Sequence, residues 1–158
     1  LNKIKDSLRN FQGVKRRFSF IGTIGKAMIY DDYAHHPSEI RASYQIAKQI
    51  KTKKIIVIFQ PHRFSRTKIL FNDFIKVLSK VDTLYLIDIY SAGENPLKNI
   101  NSQNLVKNLK KINNKVYYIS RKNNLKLAIE KHFDDYNTII FMGAGSITNM
   151  AHNLFNKK

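Results

Sequence analysis

Three short runs fix what this chain can fold into: Lys54-Ile55-Ile56-Val57-Ile58-Phe59, Thr83-Leu84-Tyr85-Leu86-Ile87-Asp88 and Thr138-Ile139-Ile140-Phe141-Met142. Each is nearly continuous in β-branched and large apolar side chains, without polar alternation, and so reads as a strand covered on both faces. Between them, apolar residues recur at helical spacing. Ile40, Tyr44, Ala47 and Ile50 follow Pro37; Ile69, Leu70, Phe74, Val77 and Leu78 form a second set; Leu105, Val106, Leu109 and Ile112 a third. Val116-Tyr117-Tyr118-Ile119 is a shorter strand, Leu125 to His132 a further helix, and a final helix ends near Phe155. Upstream, Arg16-Arg17-Phe18-Ser19-Phe20-Ile21 and Ala27-Met28-Ile29-Tyr30, joined through Gly22 to Gly25, read as a hairpin, and the residues up to Asn10 as a helix. This alternation predicts an α/β fold, a doubly wound, mostly parallel Rossmann-like sheet with an N-terminal β-hairpin. With 158 residues and no linker, repeat or low-complexity stretch, residues 1–158 are expected to form one domain.

No run approaches the roughly 18 apolar residues of a membrane span, and the N-terminus has no apolar leader segment, so a cytoplasmic location is the default. The absence of cysteine excludes disulfides, thiolate metal sites and a Cys nucleophile. A chain that opens on Leu1 is expected to be a piece of something longer. The net charge of +17 invites a nucleic-acid reading. Lys is spread over the whole length, however, with Ile as abundant and Asn frequent, and the aromatics fall inside strand and helix patterns instead of forming a stacking platform. The pattern reads as a compositional bias, with no nucleic acid expected as a partner. The charge can still help draw in an anionic substrate.

Four polar clusters each follow a strand: Asp31 to His36, His62 to Arg66, Asp88 to Glu94, and Gly143 to Ser146. In a parallel sheet all four open on one edge, where ligands bind in open α/β folds. Each also has a plainer role. Asp31 and Asp32 suit helix capping. Adjacent His35 and His36 cannot both face inward, so one is expected to pack or cap. Pro37 suits a first helical position, with Glu39 in the first turn. Two guanidiniums, Arg63 and Arg66, just past a buried strand call for anions, and Arg suits bidentate capture of carboxylate or phosphate. Gly143-Ala144-Gly145-Ser146 can present backbone N–H groups to an anion. Gly22-Thr23-Ile24-Gly25-Lys26 lacks the spacing of a phosphate loop and precedes a strand, so it is not read as one. A freestanding nucleotide-binding enzyme would need such a loop after its first strand, and Asp31 to Pro37 contains no Gly.

Taken together, Asp31-Asp32-Tyr33-Ala34-His35-His36-Pro37-Ser38-Glu39, Phe59-Gln60-Pro61-His62-Arg63-Phe64-Ser65-Arg66-Thr67, Tyr90-Ser91-Ala92-Gly93-Glu94-Asn95-Pro96 and Met142-Gly143-Ala144-Gly145-Ser146 resemble the C-terminal domain of the Mur ligases. The double His and the Gln-Pro-His-Arg form are similar to the alanine-adding branch. With Phe11-Gln12-Gly13-Val14 and Arg16-Arg17-Phe18, the resemblance runs in order from about Phe11 to Ala151. It departs mildly where Phe64 replaces a common Tyr, Ser38 a frequent Thr, and Ser65 another small hydroxyl residue.

The resemblance implies an ATP-dependent ligase that joins L-alanine to UDP-N-acetylmuramate through an acyl phosphate, using Mg²⁺, in peptidoglycan synthesis. A related ligase acting on muramyl peptides is the alternative. It implies two partner domains, one for the UDP-sugar and a central ATPase that holds most of the ATP and Mg²⁺, and it implies that this domain is inactive alone. It also implies roles: Arg17, Asp32 and Tyr33 toward ATP, His35 and His36 toward the phosphates and reacting carboxylate, and His62, Arg66 and Ser146 toward the amino acid. No metal ligand is assigned to this chain.

Overall fold

The computed structural model describes residues 16–120 and 125–156. The N-terminal helix expected up to Asn10, and the Phe11 to Val14 segment, lie outside the described residues. Six strands form one sheet: β1 (Ser19–Ile24), β2 (Ala27–Asp32), β3 (Ile55–Phe59), β4 (Thr83–Ile87), β5 (Val116–Ile119) and β6 (Thr138–Met142). Their spatial order is β1-β2-β6-β3-β4-β5. Only β1 and β2 pair antiparallel; every other pairing is parallel. The α/β fold with its N-terminal hairpin is as the sequence predicts.

Six α-helices are described: α1 (Pro37–Ala47), α2 (Phe64–Ile69), α3 (Phe71–Leu78), α4 (Ser102–Leu109), α5 (Leu125–Ile129) and α6 (Ile147–Asn153), with a 3₁₀ turn over Glu130–His132. Two apolar layers follow from strand alternation. On one face Val57, Phe59, Leu84, Leu86, Ile140 and Met142 pack with Ile40 and Tyr44 of α1, Phe74 and Leu78 of α3, and Leu105 and Leu109 of α4. On the other, Ile29, Ile56, Ile58, Tyr85, Ile139 and Phe141 pack with Ile129 of α5 and with Ile147 and Ala151 of α6. All five residues of β3, of β4 and of β6 are buried, which is why these strands read as unbroken apolar runs.

The structure redraws some boundaries. β1 runs from Ser19 to Ile24, later than the expected Arg16–Ile21, and its register slips between Phe20 and Gly22. The rejected phosphate-loop segment is the end of β1 and the hairpin turn. Gly25 there has φ 57°, and a Cβ would come within 2.4 Å of the Phe133 carbonyl oxygen. The helix expected through Ile69 to Leu78 is two helices, broken at Leu70 (φ −99°, ψ 18°), which leaves Ile69 79% exposed. Helix α4 stops at Leu109, and Ile112 is 65% exposed beyond it.

Across the sheet, Asp32, Met142, Phe59 and Leu86 are successive register partners. The chains leaving these strands therefore start at one level. Gly143 N–H donates to the Asp32 carbonyl at 3.0 Å, and Gln60 N–H to the Met142 carbonyl at 2.9 Å, so pairing continues past the strand ends. From β2 and β3 the chain turns to helices on one face; from β6 it turns to α6 on the other. Neighbouring strands whose connections leave on opposite faces open a crevice between their loops.

Candidate functional site

The loop after β2 is shaped by Pro37 at the first position of α1. His36 is the N-cap: its Nδ1 accepts from Ser38 N–H at 3.3 Å, while Glu39 accepts the N–H groups of His35 (2.9 Å) and His36 (3.1 Å), closing a capping box. Burial pushes the Glu39 carboxyl up, but the two N–H donors and the charges of His35 and His36 together hold the group below its usual pKa. His36 is exposed and does not join the histidine pair of the crevice, whereas His35 does. One of the two adjacent His residues caps, as the sequence suggests.

Arg17, Asp32 and Tyr33 meet in one cleft of about 220 Å³, completed by Phe18, Ala34, Glu39, Ala42, Ser43 and Ile46. Both carboxylates of the β2 terminus are buried, but they face opposite ways. Asp31 turns toward α6, accepting from Thr148 Oγ1 at 3.0 Å. Asp32 turns toward α1, accepting from Ala34 N–H at 3.0 Å and from the Ser43 side chain. Burial raises the Asp32 pKa, against the two hydrogen bonds and the Arg17 charge, which lower it. Ala42, Ser43 and Ile46 were not picked out from the sequence. Their signal is legible: Glu39, Ala42, Ser43 and Ile46 are spaced i, i+3, i+4, i+7, a second stripe on α1 beside its core stripe.

The loop after β3 forms the second cluster. The His62 ring stacks on Tyr90 (centroids 5.5 Å apart, 20° between planes) and lies 5.7 Å from His35. Arg66 Nη1 is 3.3 Å from His62 Nδ1. A guanidinium only donates, so Nδ1 accepts and the neutral ring carries its proton on Nε2. His35 Nδ1 instead lies 2.9 Å from the Tyr33 carbonyl, which only accepts, so it donates and leaves Nε2 as the acceptor of the neutral ring. Two adjacent imidazoles thus present opposite hydrogen-bonding character. Arg63 sits at φ 71°, its N–H bonded to the Tyr90 carbonyl at 2.8 Å, and Glu94 accepts both Ser65 N–H (2.9 Å) and Ser65 Oγ (2.6 Å). These bonds tie the loops after β3 and β4 together.

Ser146 lies on the third loop, where Gln60 Nε2 donates to its Oγ at 3.2 Å and Gln60 Oε1 accepts from Ile147 N–H at 3.0 Å. Gln60 is fully buried. A Cβ on Gly145 would come within 2.5 Å of Tyr90 Cγ and 2.6 Å of Gln60 Oε1, so this position needs glycine for close approach. Ser146 is therefore fixed against the β3 loop, away from the Arg17–Asp32–Tyr33 cleft.

The arrangement sets an acidic and cationic cleft beside a His/Arg cluster on one edge of the sheet. Residues 16–145 match the family model described as Mur ligase, glutamate ligase domain. The chain belongs to the Mur ligase family. It is 42% identical to the UDP-N-acetylmuramate–L-alanine ligase of Rickettsia typhi over 159 aligned positions, 98% of this chain and 32% of that protein. It is 43% identical to the enzyme of the same name from Rickettsia massiliae, covering 33% of its length. The crystal structure of a UDP-N-acetylmuramate–alanine ligase from Thermotoga maritima superimposes on 94% of the chain with a TM-score of 0.67 and 28% identity, matching 31% of that structure. A murein peptide ligase from Psychrobacter arcticus shares the fold at a TM-score of 0.71 and 19% identity. The chain spans about a third of the length of the Mur ligases it matches.

Among the described residues no group of three or more His, Asp and Glu side chains is gathered at metal-binding spacing, and no helix is long and apolar enough to cross a membrane.

Proposed function

We propose that this chain is the C-terminal domain of a cytoplasmic, ATP-dependent ligase that joins L-alanine to UDP-N-acetylmuramate in peptidoglycan synthesis. The observation that carries the proposal is the placement of two different anion-seeking clusters, Arg17–Asp32–Tyr33 and His62–Arg66, on one edge of the sheet. The near-complete coverage of the chain by alanine-adding relatives supports the same reading.

ATP, when bound, supplies the phosphoryl group that activates the lactyl carboxylate as an acyl phosphate. Arg17 offsets phosphate charge from the cleft, Asp32 accepts from a ribose hydroxyl, and Phe18, Ala42 and Ile46 offer apolar surface to the base. At about 220 Å³ the cleft is smaller than a full small-molecule site. It is half of a nucleotide site, and closure against a second domain of the same protein completes it. Among the described residues no donor set for a metal is gathered, and we assign Mg²⁺ to the central domain.

Arg66 and the Nε2–H of His62 hold the carboxylate of the incoming alanine, which orients its amine for attack. His35, whose Nδ1 is turned to the Tyr33 carbonyl, lies beside them with Nε2 placed to take a proton from the ammonium. Ser146 borders the site through Gln60, and His36 acts through the cap that sets the loop.

Alanine ligation by the full-length enzyme tests this directly, with wild type compared against His62→Ala and Arg66→Ala. Both folded variants are expected to lose mainly in the alanine KM, by about 1.5–3 kcal/mol, or roughly ten- to hundredfold, for a lost charge-assisted contact. Collapse of the ATP term with alanine dependence untouched would place this cluster on the nucleotide instead.

A further inference from the structure

Two arginines stand side by side at the entrance to β1, and they behave differently. Arg17 is exposed and lines the cleft. Arg16 commits its guanidinium within the chain. Its Nη2 donates to the Gly143 carbonyl at 2.8 Å, its Nε lies 3.5 Å from Asp31 Oδ2, and its Cζ sits 4.7 Å over the centroid of the Tyr33 ring. Its own carbonyl accepts the Tyr33 N–H at 2.7 Å. Asp31 is almost fully buried and Arg16 Nε is buried without a hydrogen bond, so this ion pair is held in place from inside. Arg16 also adopts φ 64°, a backbone conformation that a non-glycine residue keeps only where its surroundings impose it.

We propose that Arg16 is a positioning residue that latches the loop after β2 to the loop after β6 and sets the Tyr33 ring at the mouth of the nucleotide cleft. This rests on the ligase reading above. The guanidinium suits the task because one planar group donates along its edge to the Gly143 carbonyl, sets its charge beside the Asp31 carboxylate and presents its face to an aromatic ring. An ammonium in its place keeps the attraction to Asp31 but cannot stack and donate to Gly143 from the same plane. The sequence gives no hint of this division of labour, since Arg16 and Arg17 are chemically identical neighbours. It emerges from the backbone turn, which aims one side chain at the sheet edge and the other outward.

The test compares wild-type, Arg16→Ala and Arg16→Lys full-length enzymes. Arg16→Lys is expected to keep the wild-type melting temperature yet raise the ATP KM about tenfold with the alanine KM within about twofold of wild type, and Arg16→Ala to show the same split more strongly. Should Arg16→Ala fail to fold, Arg16→Lys decides alone. An unchanged ATP KM in folded Arg16→Lys, or equal losses in the ATP and alanine terms, overturns the proposal. Hydrogen exchange of the full-length proteins separates this from failure of the ligase reading. With or without alanine-ligating activity, the latch predicts that residues 32–35 and 143–146 lose protection together in Arg16→Lys. Unchanged protection in both segments overturns it.

Discussion

Burial first, then the charges of Arg66, His35 and Arg63, hold the His62 pKa below its ordinary value, against an opposing pull from Glu94. His132, whose Nε2 lies 2.9 Å from the Tyr85 hydroxyl, is lowered mainly by burial as well. A lowered imidazole pKa means that the folded state binds fewer protons than the unfolded chain once pH drops below about 6.5. The stabilisation is thus present above the unfolded pKa and lost as pH falls through the folded one. The carboxyls of Glu39, Glu94 and Asp135 are also lowered and titrate below about 4.5, whereas Asp32, raised by burial, gains stability on acidification and works against the histidines. Urea unfolding between pH 7.5 and 5.5 should show stability declining on acidification, with a shallower decline in His62→Gln; an identical slope in that variant would contradict the assignment. At Gly145 an added methyl must displace both Tyr90 and the Gln60 amide. Gly145→Ala is expected to cost about 1–3 kcal/mol in stability by overpacking. Because Tyr90 stacks on His62, it should also raise the alanine KM in a folded enzyme. Of the residues singled out from sequence, Arg17, Asp32 and Tyr33 meet in one cleft and His35, His62 and Arg66 in one cluster. The sequence left open which histidine caps; the structure puts Pro37 at the first helical position and His36 before it as the N-cap. The role of Arg16 was not readable, since it depends on a left-handed φ that no Gly or Asn marks.

The strands were legible because burial on both faces writes itself as an unbroken apolar run, and β3, β4 and β6 match their runs closely. Boundaries were less so. The bulge at Phe20/Gly22 shifts β1, and the break at Leu70 carries neither Gly nor Pro to announce it. Ile69 and Ile112 fit an apolar spacing and are nevertheless exposed, since periodicity fixes the pattern along a helix and says nothing about where the neighbouring layer ends. One element-scale contact ties the layers at the opposite end of the sheet from the site. Asp82 accepts from Tyr44 Oη of α1 at 2.9 Å and from the N–H of Ile55 at the start of β3 at 2.9 Å. Burial and this carboxylate together push the Tyr44 phenol above its ordinary pKa. Asp82→Ala leaves two donors unpaired, one of them a backbone N–H, and should destabilise by about 2–4 kcal/mol in chemical unfolding. Ligation by the folded fraction should be unchanged, since nothing in the site touches Asp82.

At the scale of the molecule, the sheet order places β6 between β2 and β3, and this gathers four loops far apart in sequence at one edge. The two clusters lie on the loops after β2 and β3, on either side of the loop after β6, as the proposed division between ATP and alanine requires. The chain that holds this edge spans about a third of the length of the Mur ligases it matches. The most direct test of the central claim is product analysis by mass spectrometry with the full-length enzyme, UDP-N-acetylmuramate, ATP, Mg²⁺ and either L-alanine or another amino acid. The account predicts UDP-N-acetylmuramoyl-L-alanine with stoichiometric ADP and phosphate, formed with L-alanine in clear preference. No product from UDP-N-acetylmuramate, together with ligation onto a muramyl peptide, would contradict it and place the chain in another branch of the family.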